Sequence, residues 1–463
     1  MKTFPYRGNE ARLRPIALLG AAMLALSAAD PAAADQPEYG PEGIPVPSIA
    51  TSLPANGDPN GYRKWLAERG ISYNLLYTTD ILSNVSGGLR RGTINQGKLE
   101  ASVQVDLERL VGASGLTFYS NVFFIHNTGR IRRDYVGGLN TIAAIEAVPT
   151  VRLSELWLEQ KFAGGAASLR VGQLAADTEF FFSAMSALLL QSDWATIAAT
   201  NMPSGGPAYP LSTPGIRLKV DPTANTSLLL AVFNGDPAGP GPGDEQLRNR
   251  YGLNFRVRDP ALIMAEAQFR LNRAPTDTGL ASQFKFGGWA HLGRFDDQRL
   301  ANDGTLLANP AGSGIPLSRR GNWGLYGVAE QQIYRPPGGD AESGITLFGR
   351  VSVSPGDRNL ISFYADGGVI FSGLIASRPD DKIGIGVIYS RFSDQVRAFD
   401  RDMAVFTGLP TVIRDYELNL ELTYLAQIRP GLTVQPVLTY VIHPNGDARR
   451  NAVVGGIRTI ARF

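Results

Sequence analysis

Cysteine is absent from all 463 residues, so no disulfide staples this chain, and thiol chemistry and thiolate-held metal are excluded. Histidine is nearly as scarce. His126, His291 and His443 lie far apart, and none stands in the H-E-x-x-H spacing of a zinc hydrolase. No glycine-rich phosphate or dinucleotide fingerprint opens a helix after a strand. These gaps argue against an enzyme and lead us to expect no cofactor and no metal. Past residue 34 no run of 18 apolar residues occurs, so no membrane-crossing helix is expected. Net charge is missing too. Without the first 34 residues, which hold four basic and two acidic side chains, 40 of each sign remain. Such a balance gives no global attraction to nucleic acid.

What is present begins with an export pattern. Lys2, Arg7, Arg12 and Arg14 precede an apolar run from Ile16 to Ala29, and Ala32-Ala33-Ala34 offers a cleavage site. Residues 1–34 are therefore expected to be a cleaved signal peptide. Residues 35–70, rich in proline and glycine, read as a periplasmic lead-in that contains a short helix near Tyr62 to Arg69. From residue 71 to 463 the pattern has period two. Tyr416, Leu418, Leu420 and Leu422 alternate with Glu417, Asn419 and Glu421, and Leu99 to Leu107 behaves alike.

These runs are longer than the usual strand of about five or six residues. Eleven residues tilted by about 40° span roughly 28 Å, enough for the apolar band of an outer membrane. The expected fold is all-β: a transmembrane antiparallel β-barrel of sixteen strands over residues 71–463. The strands centre near residues 75, 103, 120, 156, 171, 216, 230, 265, 287, 328, 348, 367, 387, 421, 437 and 457. An even count places both ends of the barrel in the periplasm, with short turns there and long loops outside. Residues 296–321 and 393–414 are expected to be long outer loops. The longest, residues 175–210, holds Phe180-Phe181-Phe182, Asp193 and Trp194, and idle loops of this length are uncommon. By analogy with general porins it should fold into the lumen.

The last strand ends on Phe463, on the parity of Val453 and Ile457, with Arg458 and Arg462 on the other face. A terminal aromatic so placed is similar to the signal read by the outer-membrane barrel assembly machinery. Residues 416–463 (YELNLELTYLAQIRPGLTVQPVLTYVIHPNG…NAVVGGIRTIARF) resemble the end of a carbohydrate-selective porin of the OprB type. So do LSELWLEQKF at 153–162, LRVGQLAADTEFF at 169–181 and AVFNGDP at 231–237. The resemblance implies a sixteen-stranded barrel that admits glucose and similar sugars. Arg462 beside the terminal Phe, and much of residues 296–321, depart from the pattern, which leaves substrate preference open.

Sugar recognition calls for hydroxyl-bonding Arg or carboxylate groups beside aromatic rings. Parity turns Glu155, Trp157 and Glu159 of the fourth strand and Arg170 of the fifth into the lumen. With Asp193 and Trp194 of the long loop they form the expected constriction. Glu417, Glu421, Arg458 and Arg462 are expected to line the pore elsewhere. For Trp157 a packing or girdle role is the competing reading. The dense cluster Arg130, Arg132, Arg133 and Asp134 could guide solutes or meet lipopolysaccharide phosphates. The partners expected are small neutral sugars, outer-membrane lipid and lipopolysaccharide, the assembly machinery, and two further copies in a homotrimer. Two other readings stay open. Lumenal arginines would permit a general or anion-preferring porin, and an all-β periplasmic sugar-binding protein would share the strand pattern.

Overall fold

Alternating polarity along the chain resolves into one closed antiparallel sheet of sixteen strands. The computed structural model describes residues 38–191, 194–274 and 277–463. The expected signal peptide and Asp193 lie outside the described residues. The barrel strands are β1 (Ile71–Gly87), β2 (Gly92–Asp106), β3 (Leu116–Asn127) and β4 (Thr150–Phe162). Next come β5 (Ala167–Leu174), β6 (Thr213–Thr223), β7 (Thr226–Asn234) and β8 (Ala261–Leu271). Then follow β9 (Ser282–Ala301), β10 (Pro316–Tyr334), β11 (Gly344–Val353) and β12 (Ile361–Ser372). The last four are β13 (Lys382–Phe392), β14 (Tyr416–Arg429), β15 (Leu432–Ile442) and β16 (Asn451–Arg462). Each pairs with its chain neighbours, and β16 closes on β1 with Arg458 opposite Asp80. Every expected strand centre falls within one of these ranges.

The wall is built inside out. On β14, Leu420 and Leu422 are 43% and 51% exposed while Glu417, Asn419 and Glu421 are buried. Water would punish a surface of exposed leucines over buried carboxylates; lipid outside and a polar lumen reward it. No helix among the described residues is long and apolar enough to cross a membrane. The barrel strands do the crossing.

Two expected outer loops are more ordered than the pattern suggested. Residues 296–321 begin and end in strand, because β9 and β10 continue as a paired ribbon to Ala301 and Pro316. Charges fall on both faces there, which erases the alternation once the ribbon leaves the lipid band. Residues 393–414 hold a helix, Asp394–Thr407, whose Ser393 side chain caps its first turn by accepting from the Val396 amide. The lead-in contains a two-stranded ladder, Glu38–Tyr39 with Pro45–Val46, and the helix Tyr62–Ala67.

Two segments on the end of the barrel opposite the termini bond to the inner wall. The Leu139 and Asn140 amides donate to Glu417 of β14 at 2.6 and 2.7 Å. The Leu190 and Gln191 amides donate to Glu421, four residues further along the strand, at 2.8 and 2.9 Å. The Phe181 amide donates to Glu266 of β8, Ser183 to Glu330 of β10, and Arg350 of β11 donates to the Phe181 carbonyl. A segment tied to inward side chains on both sides of a closed sheet runs through its interior. Its irregular backbone has amides that no ladder satisfies, and the wall carboxylates accept them. Gly386 of β13 leaves room for the approach, since a Cβ there would sit 2.2 Å from the Leu189 side chain.

Candidate functional site

Between these two segments and the wall lies a cavity of about 470 Å³, within the range of small-molecule sites. Its lining carries four cationic side chains, Lys98, Arg132, Arg350 and Arg458. Four carboxylates, Glu146, Glu155, Asp177 and Glu245, balance them. Aromatic rings come from Phe123, Phe181, Phe182, Trp194 and Tyr209. One wall is a cation–aromatic cluster. The Lys98 ammonium lies 4.6 Å from the Phe123 ring centre and 5.1 Å from that of Tyr209, and the two rings are 5.5 Å apart. Lys98 also meets Glu100 at 3.1 Å. The Tyr209 hydroxyl donates to the Ile145 carbonyl, which joins the two inner segments. Burial holds the Glu146 carboxyl above the usual carboxylate range, with the Arg132 charge opposing it.

A bulge explains how β4 serves this cavity. Pairing with β3 slips between Ser120 opposite Leu156 and Val122 opposite Leu153. Ser154 and Glu155 consequently both turn inward, at 3% and 5% exposure. The Asn121 side-chain oxygen accepts the Glu155 amide that the slip releases, at 2.7 Å. Before the bulge the inward parity is that of Arg152, which is buried and donates to the carbonyls of Pro210 and Gln246.

The residues expected at the constriction separate into two groups. Glu155 and Trp194 line the cavity, and the Trp194 indole N–H donates to the Phe180 carbonyl. Trp157, Glu159 and Arg170 come together behind it. The Arg170 guanidinium stacks 3.9 Å over Trp157 and bonds Glu159 at 2.7 Å. Glu179 of the inner segment and Arg217 of β6 complete an alternating network of four charges, with 2.7 Å between them. Trp157 is also stacked on Tyr119 of β3 at 4.9 Å and is 3% exposed. Tyr119 and Arg170 belong to the strands on either side of β4, so the indole has no free face for a solute. Arg170 stands opposite Glu159, and Trp157 opposite Gly172.

Trp157→Ala should therefore act on stability. Losing a buried tryptophan of this kind costs about 3–5 kcal/mol. The expected result is a lower temperature for loss of heat-modifiable migration, with single-channel conductance little changed.

The other pore-lining expectations also divide. Glu417 and Glu421 face inward but are covered by the segments they hold. Arg458 lines the cavity and pairs with Asp80 at 2.7 Å. Arg462 stands near the terminal end, where its carbonyl accepts from Ser48. Arg132 reaches the cavity, whereas Arg130 pairs with Asp244 and Arg133 with Asp134. Sequence parity missed Lys98, although it shares the parity of Glu100. It also missed Phe123 and Tyr209, which no alternation marks.

A model of the carbohydrate-selective porin, OprB family, matches residues 90–463. Porin B of Pseudomonas aeruginosa is 25% identical over 426 residues, covering 87% of this chain and 89% of its own. The high-pH structure of Pseudomonas putida OprB aligns with a TM-score of 0.76 at 21% identity, over 88% of this chain and 98% of that one. The low-pH structure of the same protein gives 0.53 at 18% identity, over 88% and 97%. These likenesses bear on the fold. With a closed sixteen-stranded wall, a lipid-facing apolar exterior and a family match over most of its length, this chain belongs to the carbohydrate-selective porins of the outer membrane, OprB family, as a channel and not an enzyme.

Proposed function

We propose that the protein passes neutral monosaccharides such as glucose by passive, substrate-preferring diffusion through the cavity between the two inner segments. The observation that carries this reading is the lining, which holds four cations, four carboxylates and five aromatic side chains. Balanced charge offers donors and acceptors to sugar hydroxyls without a net field that would favour an anion. Rings supply flat faces for the C–H side of a pyranose. Fixed polar groups that are already ion-paired bind weakly enough to let a solute leave. This balance weighs against the anion-preferring reading.

Lys98, Phe123, Glu155, Tyr209 and Trp194 are the contacts we assign to the passing sugar. The groups behind them, Trp157, Glu159 and Arg170, hold the wall in place. Export through the signal peptide, assembly through Phe463 and trimer formation belong to the same reading. The test is Tyr209→Ala in a planar bilayer, with the sugar-dependent block of ion current as readout. Glucose block should weaken severalfold while conductance stays equal or rises. Unchanged block in this variant and in Phe123→Ala would remove the aromatic wall from the site.

A further inference from the structure

Strand β5 is only eight residues long, and its pairing with β4 stops at Gln173 opposite Leu156. The stretch of β4 beyond that point loses its neighbour on this side. Residues 250–252, from the connection between β7 and β8, fill the breach. The Thr150 hydroxyl donates to the Arg250 carbonyl at 3.0 Å, and the Leu153 amide donates to the Tyr251 carbonyl at 3.0 Å. Gln173 donates to the Gly252 carbonyl at 3.0 Å. Gly252 is required by the closeness of this patch. Its φ is +69°, and a Cβ would lie 1.8 Å from the Leu153 carbonyl oxygen.

The patch continues as an irregular run whose odd positions are apolar and exposed. Leu253 is 62%, Phe255 47% and Val257 79% exposed. It adjoins the end of β4 where Val151 belongs to the lipid-facing band, so this apolar row extends an interface already established. Arg250 and Arg258 bracket the row. Both are exposed, and neither makes an ion pair with a described residue. Arg256 differs, being held by Asp259 at 2.5 Å. The connection lies on the side opposite the termini, which in an outer-membrane barrel is the outer leaflet.

We propose that residues 250–258 bind a phosphorylated glycolipid of the outer leaflet. Its acyl chains lie on Leu253, Phe255 and Val257, and its phosphates lie between Arg250 and Arg258. Charge selects the headgroup. Neither arginine has a carboxylate within ion-pairing distance among the described residues, Arg250 meeting the Pro149 carbonyl and the Tyr251 ring and Arg258 only the more distant charge of Asp259. Arg130 and Arg133, the cations singled out from sequence for this role, already face Asp244 and Asp134.

Native mass spectrometry of the detergent-purified protein, titrated with diphosphoryl lipid A and with its dephosphorylated form, tests the assignment. The diphosphoryl lipid should bind, and removing its phosphates or introducing R250Q/R258Q should weaken it by about thirtyfold, the typical worth of two basic groups at an anionic lipid surface. Leu253→Ser with Val257→Ser should weaken both lipids. Equal binding of both lipids, unaltered binding to R250Q/R258Q, or full competition by free inorganic phosphate would overturn the proposal. Glucose permeation should be the same in R250Q/R258Q as in the parent, so the lipid result stands apart from the transport result.

Discussion

Replacing Glu417 and Glu421 together by alanine should raise single-channel conductance severalfold and remove discrimination among solutes. Glu417 accepts three backbone amides, from Leu139, Asn140 and Asn445, at 2.5–2.7 Å. Glu421 accepts two more, from Leu190 and Gln191. Both carboxylates are almost fully buried. Each amide left without an acceptor costs about 1–3 kcal/mol, so the folded-in arrangement loses several times that amount against one in which water solvates the segments. The two segments also bond each other, through the Ala144 amide and the Leu190 carbonyl, so releasing one loosens the other. The barrel wall keeps its ladder in either case. Normal heat-modifiable migration with enlarged, noisier current is the expected record. A double variant with parental conductance and parental glucose block would show that these carboxylates do not set the width of the channel.

Deleting Phe463 should reduce outer-membrane yield severalfold while export continues. Its amide and carbonyl pair with Leu75 of β1 and so complete the seam between the first and last strands. Its ring is not simply lipid-facing, as parity suggests, because the lead-in covers it. The Arg63 guanidinium lies 4.9 Å from the Phe463 ring centre and 4.1 Å from that of Tyr73, and a Cβ on Gly57 would touch the ring at 2.9 Å. Arg63 is 2% exposed, and its guanidinium nitrogens have no hydrogen-bond partner among the described residues. A desolvated cation held by two rings gains on the order of 2 kcal/mol from each. Arg63→Ala should therefore leave yield intact and lower the temperature of heat modification, which separates sealing from assembly. Full yield from the Phe463 deletion would contradict the assembly role.

The strands were legible because lipid enforces parity. A charge on the outer face at mid-membrane costs about 2–4 kcal/mol, so the alternation at residues 416–428 could not blur. On the inner face no such rule holds. Phe123 and Ile125 point inward under the inner segments while Phe124 points outward, so β3 shows apolar residues on both faces. The bulge at Ser154 and Glu155 inverted the parity of Arg152 and hid it. Glu417 and Glu421 were placed on the correct face, but the inner-segment amides they accept lie some 230 to 280 positions away in sequence. Parity gives a side chain its direction and is silent on what arrives from across the barrel. For the same reason parity left Trp157 between a sugar contact and a packing role, since Tyr119 and Arg170 enclose it only once the register of three strands is known.

Liposome swelling with the purified channel, paired with reversal potential in a salt gradient, tests the central claim most directly. Balanced lining charge and an aromatic wall predict that glucose enters faster than succinate or phosphate, with little preference between cation and anion. Exclusion of glucose together with a strongly anion-selective reversal potential would contradict the account.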